Sequence, residues 1–194
     1  MNSLRIALVS GAHRTGSRSA LVARYLFEQL SAHSTLPLVT LIDASDPRIP
    51  LFDDRARLSE EHAGFLQSIG SVLSDSDALV LVSPEYNGGM AGSLKNLLDF
   101  YRKEYERKPM GLVSVSSGTL GGINALHQMI EFASYVGAFI LNKRLMVSEV
   151  DKAFDPQGGV VSERLGRNAS VFVEELMWLS EAIHHHKERT GSRI

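Results

Sequence analysis

The stretch VSGAHRTGSRSAL, Val9–Leu21, decides how this chain is read. It opens on the end of an apolar run, Arg5–Ser10, and passes through a loop with glycines at 11 and 16. It then enters a stripe of apolar residues at Leu21, Val22, Tyr25, Leu26 and Leu30. A strand that ends in a glycine-hydroxyl loop and continues as a helix is the opening unit of an α/β sheet. Its loop lies where such sheets bind anions. The glycine spacing is the front half of a P-loop, yet Ser17 stands where the lysine should be. That lysine reaches toward β- and γ-phosphates. A loop with hydroxyls and Arg14 suits a terminal phosphate that is held and never transferred, which argues against a nucleoside triphosphatase. The other reading of this stretch is an ordinary strand–helix turn capped by Ser17.

Working outward, four more apolar runs follow at Leu36–Asp43, Ala78–Ser83, Gly111–Ser116 and Ala138–Met146. Rich in Val, Leu and Ile and closed by Gly, Ser, Pro or Asp, they suit parallel strands covered on both faces. Between them lie helical stripes over Leu58–Leu73, Leu94–Arg102 with Ser93 as its cap, Ile123–Ala133 and Leu165–Ile183. Five strands alternating with five short helices predict a doubly wound sandwich, a five-stranded parallel sheet of order 2-1-3-4-5 with helices on both faces. The expectation is a single flavodoxin-like domain over 1–194. Its ligand then sits at the carboxyl ends of the first and third strands, where the winding reverses.

The third strand ends in PEYNGGMAGSLKN, Pro84–Asn96. A turn explains Asn87-Gly88-Gly89, but not a proline and an aromatic ring at the switch point, where a flat heterocycle can lie against backbone. The fourth strand ends in SSGTLGG, Ser116–Gly122, a third glycine-hydroxyl loop on the same edge.

Composition narrows the rest. With 194 residues, a net charge of −2, and 44% hydrophobic and 22% charged residues, the chain has the make-up of a globular protein without the basic footprint of nucleic-acid binding. It has no cysteine, hence no disulfide, thiolate metal site or cysteine nucleophile. No apolar run reaches membrane-spanning length, and the start MNSLRIALVSG lacks the features of a secretory signal, so the expected location is cytoplasmic. No metal site is expected. His184-His185-His186 fan around a helix and read as a solvated last turn, and Asp53-Asp54 reads as a polar turn. Phe100–Lys108 reads as an exposed helix end or a subunit contact.

GAHRTGSRSALVA, PEYNGGMAGSLKNLLDF and SSGTLGG together resemble the NADPH-dependent FMN reductase family, which includes flavodoxin-like chromate, quinone and azo-dye reductases. IPLFDD (Ile49–Asp54) and FDPQGGVV (Phe154–Val161) stand where such proteins carry similar phrases. The resemblance implies FMN as cofactor, with NADPH or NADH as electron donor. The two electrons pass to a small oxidised acceptor: a quinone, an azo compound, chromate or free flavin. It implies a first loop in which Gly11, Arg14, Ser17 and Ser19 hold the phosphate. Pro84, Glu85, Tyr86 and Asn87 then cradle the isoalloxazine, largely through backbone, with further contacts from Ser117 and Gly118. No side chain is expected to act as general acid or base, because the flavin carries the chemistry. A homodimer or homotetramer is implied, with Leu94–Tyr105 as a contact region. The chain departs from the family pattern at Ala12, usually serine, and Ser19, usually asparagine. A hydrogen bond to a charged group contributes about 1.5–3 kcal/mol, so FMN is expected to bind reversibly. Two rivals stand beside this reading: a flavodoxin-type electron carrier, usually far more acidic, and a flavin-free binding module of the same fold.

Overall fold

The structure is a computed structural model that describes residues 3–11, 16–55 and 57–191. Ala12 and Arg14, both named in the phosphate-loop expectation, lie outside the described residues. The parallel sheet is built from β1 (Arg5–Ser10), β2 (Leu38–Asp43), β3 (Ala78–Tyr86) and β5 (Pro109–Val115). The short pieces β6 (Phe139–Ile140) and β7 (Leu145–Val147) both pair with β5, and the antiparallel β4 (Gly89–Met90) returns on β3. The path across the sheet is β2-β1-β3-β5-β6. The order is the expected one, but the strand count is seven rather than five.

The fifth expected strand splits because its register slips. Phe139 pairs with Pro109 and Ile140 with Met110, whereas Leu145 pairs with Val113. The polar residues Asn142, Lys143 and Arg144 fall between the two ladders and interrupt the pairing, as a bulge does. The extra strand β4 is the return arm of a tight hairpin after β3, which a parallel-sheet reading has no reason to expect.

Alternation along each strand sorts the core into two layers. Ile6 and Leu8 of β1 and Ala78, Val80 and Val82 of β3 face helices α1 (Arg18–Ser31) and α5 (Glu163–Thr190). Ala7, Val9, Leu79 and Leu81 face the other way, toward α2 (Glu60–Asp75), α3 (Gly92–Leu98) and α4 (Ile123–Tyr135). Both faces of β3 are therefore dry, which accounts for its unbroken apolar run. Phe172 of α5 lies against the backbone of β5 so closely that a Cβ on Gly111 would come within 2.5 Å of its ring.

Three expectations about helices are corrected. Helix α5 is long, at 28 residues. Helix α3 starts at Gly92 and stops at Leu98; Ser93 does not cap it but donates its hydroxyl to the Gly11 carbonyl at 2.9 Å. Phe100–Lys108 is not simply exposed: Tyr105 is fully buried, and the Tyr101 hydroxyl donates to the Leu66 carbonyl at 2.7 Å. The histidine triplet also divides. His184 turns inward with Nδ1 at 3.0 Å from Asp77 Oδ1, while His185 stays half-exposed.

Candidate functional site

Successive helices lie on opposite faces of the sheet at β1 and β3, so the carboxyl ends of these two strands form an open crevice. Three loops meet there. They follow β1, β3 and β5, and the cleft between them is lined by Ser17, Ser19, Pro84, Glu85, Tyr86 and Ser117, with Val150 and Asp151 on the far wall. Six of the expected site residues thus share one cleft of about 110 Å³. That is smaller than the roughly 300–1,000 Å³ that encloses most organic ligands. It has room for the narrow end of a ligand such as FMN, not for the whole.

The first loop enters α1 through Ser17, whose φ and ψ of −60° and 123° make it the N-cap. Its hydroxyl caps no backbone N–H of the helix. It lies 2.8 Å from the Ser19 hydroxyl, with both residues buried. The first turn of α1 also carries no acidic residue. Helix starts leave N–H groups without intrahelical acceptors and carry partial positive charge. Helices α2 and α5 meet that need internally: Ser59 accepts from the His62 N–H and Ser162 from the Leu165 N–H, with Glu60, Glu61 and Glu163 beside them. Helix α1 carries no such anion in its first turn, and the Asp151 carboxylate beside it is paired with Arg18. Paired hydroxyls at an uncapped helix start are a donor set for a phosphate, and that is the test FMN must pass here. Gly11 follows the last residue of β1. Its N–H donates to the Val82 carbonyl at 2.8 Å, and a Cβ there would meet Leu94 Cβ at 2.8 Å. Its part is close approach between β1 and α3.

The second loop is a two-residue hairpin. Asn87 and Gly88 both have positive φ, +49° and +77°, and Tyr86 pairs with Gly89 and Glu85 with Met90 across it. An Asn-Gly pair in this conformation is the turn that matches strand twist. Ser83 closes the base: its hydroxyl accepts from the Ala91 N–H and donates to the Pro84 carbonyl, each at 2.9 Å. Asn87 is exposed at the tip. The Glu85 carboxylate turns away from the turn, accepting from the N–H groups of Asn124 at 2.8 Å and Ala125 at 3.2 Å. Only the backbone of Glu85 is left to face a ligand.

The third loop is tied from both sides. The Ser114 hydroxyl donates to the Gly121 carbonyl at 2.7 Å, and Gly118 donates its N–H to Ser116 Oγ at 3.0 Å. Glu149 and Val150 donate their N–H groups to the Gly118 and Ser116 carbonyls, both at 3.1 Å. Ser117 and Gly118 are exposed on the rim.

The sequence reading missed the far wall. Arg18 Nε lies 2.9 Å from Asp151 Oδ1, linking the start of α1 to the turn Val150–Lys152. Both side chains are about half-exposed, so the pair adds little energy, and both line the cleft. Gln128 was missed too; its Oε1 accepts from the Met90 N–H at 2.9 Å. Asp151 and Gln128 lie in no glycine loop, so no local pattern announces them. Among the described residues no group of three or more His, Asp or Glu is placed to hold a metal ion.

Comparison with known proteins agrees with this geometry. An NADPH azoreductase of Bacillus sp. (strain OY1-2) is 30% identical over 137 residues, covering 70% of this chain and 71% of that protein. A quinone reductase of Escherichia coli (strain K12) is 26% identical over 166 residues, 83% of this chain and 86% of that one. In fold, the FerB flavoenzyme NAD(P)H:(acceptor) oxidoreductase of Paracoccus denitrificans superimposes with a TM-score of 0.76 at 19% identity, covering 92% of this chain and 98% of that chain. The family model for NADPH-dependent FMN reductases matches residues 4–152, well over half of the sequence. The chain belongs to the NADPH-dependent FMN reductase family.

Proposed function

We propose that this protein takes two electrons from NADPH or NADH and passes them, by way of FMN bound at the carboxyl edge of the sheet, to a small oxidised acceptor such as a quinone or an azo compound. The observation that carries this reading is the start of α1: a helix N-terminus that no side chain among the described residues caps, with the Ser17 and Ser19 hydroxyls, opening into the switch-point cleft. Bound FMN supplies the redox chemistry, accepting electrons from a nicotinamide and yielding them to the acceptor. The chain's own residues bind and orient. The N–H groups at the start of α1, the Ser17 and Ser19 hydroxyls and Arg14 hold the phosphate. Pro84, Tyr86 and Asn87, with the backbone of Glu85, cradle the ring, and Ser117 and Gly118 border it.

A cytoplasmic setting, where nicotinamide nucleotides are at hand, fits this reading, as does one functional unit over the 194 residues. The active form is a homodimer or homotetramer. The cleft between α3 and α4, about 770 Å³, is lined by Tyr101, Arg102, Phe132 and Tyr135. Tyr135 is 77% exposed there, with the Arg102 guanidinium 5.5 Å above its ring. It overlaps the Leu94–Tyr105 contact region, and a monomeric sedimentation profile would remove that part of the reading. The enzymatic reading is tested by NADPH oxidation with FMN-loaded protein and a naphthoquinone, then an azo dye. Turnover that depends on added acceptor and on FMN is expected; an FMN-loaded protein that leaves NADPH untouched would point to an electron carrier.

A further inference from the structure

We propose that Glu85 and Gln128 are positioning residues of the flavin site, holding from helix α4 the hairpin on which the ring is cradled. The inference rests on the FMN reading above and adds to it the device that fixes the cradle.

The hairpin cannot orient itself. Its ladder consists of two residue pairs, Glu85 with Met90 and Tyr86 with Gly89, and a lone two-stranded hairpin is marginally stable in water. Its tip, Asn87-Gly88, is exposed. What fixes its direction must come from outside the turn, and α4 supplies it on both arms. On the outgoing arm, Glu85 Oε2 accepts from the N–H groups of Asn124 and Ala125 at 2.8 and 3.2 Å, and Oε1 accepts from Asn124 Nδ2 at 3.2 Å. On the return arm, Gln128 Oε1 accepts from the Met90 N–H at 2.9 Å. Asn124 and Gln128 are four residues apart, one turn along the same face of the helix.

Each attachment has an independent mark. The N-cap of α4 is Gly122, with φ +80° and no side chain to offer, and the first turn contains no acidic residue. The Glu85 carboxylate takes the place of that missing cap from a different element, in the favourable position at the positive end of the helix. At the other pin the side-chain amide presses on the hairpin backbone: a Cβ built on Gly89 would lie 2.8 Å from Gln128 Oε1 and 3.0 Å from Nε2. A Cβ at 89 would therefore push the Gln128 amide off the Met90 N–H it holds. A turn alone would put glycine at 88, where φ is +77° and nothing lies within 4 Å of a built Cβ.

The test compares Glu85→Ala and Gln128→Leu, which remove the acceptors, with Glu85→Gln and Gln128→Glu, which keep an acceptor oxygen at each place. Three quantities are measured on the purified full chain: the FMN dissociation constant by flavin fluorescence, the midpoint potential of the bound flavin, and hydrogen exchange of amides 86–90 without FMN. Glu85→Ala and Gln128→Leu are expected to raise the dissociation constant about tenfold, the scale of one lost charged or buried hydrogen bond. They are also expected to shift the potential and speed exchange in the hairpin, while the conservative variants stay within about threefold of the parent constant, a difference under 1 kcal/mol. A lower melting temperature in the first pair, with affinity, potential and hairpin exchange unchanged, would reduce both residues to structural ones and overturn the proposal. Parent protein that takes up no FMN would instead overturn the cofactor reading itself, a different result seen before any variant is made.

Discussion

Helices α1 and α4 both begin at the carboxyl edge of the sheet, on opposite faces, yet they meet the problem of a helix start in opposite ways. Helix α4 has a glycine cap and receives a carboxylate from β3, Glu85. Helix α1 has a serine cap whose hydroxyl is committed to Ser19, with no acidic residue in its first turn. One positive pole is neutralised from within the chain; the other is offered outward, into the cleft. The difference teaches where an external anion belongs. A free phosphate group has nothing to gain at α4, where an internal anion already accepts two N–H groups, and much to gain at α1.

The strongest way to break this contrast is to give α1 what α4 has. Ser17→Asp places a carboxylate at the N-cap, the residue type that position favours. The protein without cofactor is expected to become more stable by about 0.5–1 kcal/mol. FMN affinity is expected to fall on the order of 100-fold, because a fixed carboxylate both occupies the donors and repels the phosphate, each a charged interaction of about 1.5–3 kcal/mol. Thermal unfolding and a fluorescence titration read the two effects, and their opposite signs are the signature. Ser17→Ala, which only removes a hydroxyl, is expected to weaken FMN about tenfold.

The opposite edge of the sheet sharpens the comparison, because there a helix end is met by a buried cation. Lys108 donates its ammonium to the Leu73 and Ser74 carbonyls at 2.5 and 2.7 Å, at the C-terminus of α2. Burial, reinforced by Lys187, still lowers its pKa from 10.5 to about 8. The folded state therefore releases this proton at lower pH than the unfolded state, so between pH 8 and 10 the unfolded chain binds more protons and stability rises with pH. Lys108→Met is expected to flatten that rise in urea unfolding at pH 8 and pH 9.5. Above pH 10 the sign reverses, since burial holds the Tyr101 and Tyr105 hydroxyls protonated in the fold while the unfolded tyrosines ionise. The smallest expected effect lies at the hairpin tip. Asn87→Ala loses a residue suited to φ +49° and is expected to cost about 1 kcal/mol of stability, whereas Asn87→Gly stays within about 0.5 kcal/mol.

Much of this was legible in the residues. Ala78–Val82 of β3 are all apolar because both faces of the strand are dry there, so Ala78–Ser83 reads as a buried parallel strand. Glycines at 11, 16, 88, 118, 121 and 122 punctuate the loops at the carboxyl ends, and position them on one edge once the strand order is known. What stayed hidden depends on contacts distant in sequence. Glu85 is 39 residues from the helix it caps and Gln128 is 38 residues from the amide it meets. No periodicity records such pairings. The break in the last strand was hidden for a different reason: Leu141 and Leu145 are buried on either side of Asn142–Arg144, so the apolar pattern continues while the ladder does not. His184 shows the same limit, since a histidine beside other histidines gives no sign that Asp77 lies opposite.

The most direct measurement is a visible spectrum of the purified protein, taken before and after adding FMN and again after anaerobic NADPH. Flavin bands that sharpen on binding, bleach with NADPH and return with a quinone are the expected result. A protein that leaves the spectrum of added FMN unchanged would contradict the assignment of the α1 start as a phosphate site and favour a flavin-free module of this fold.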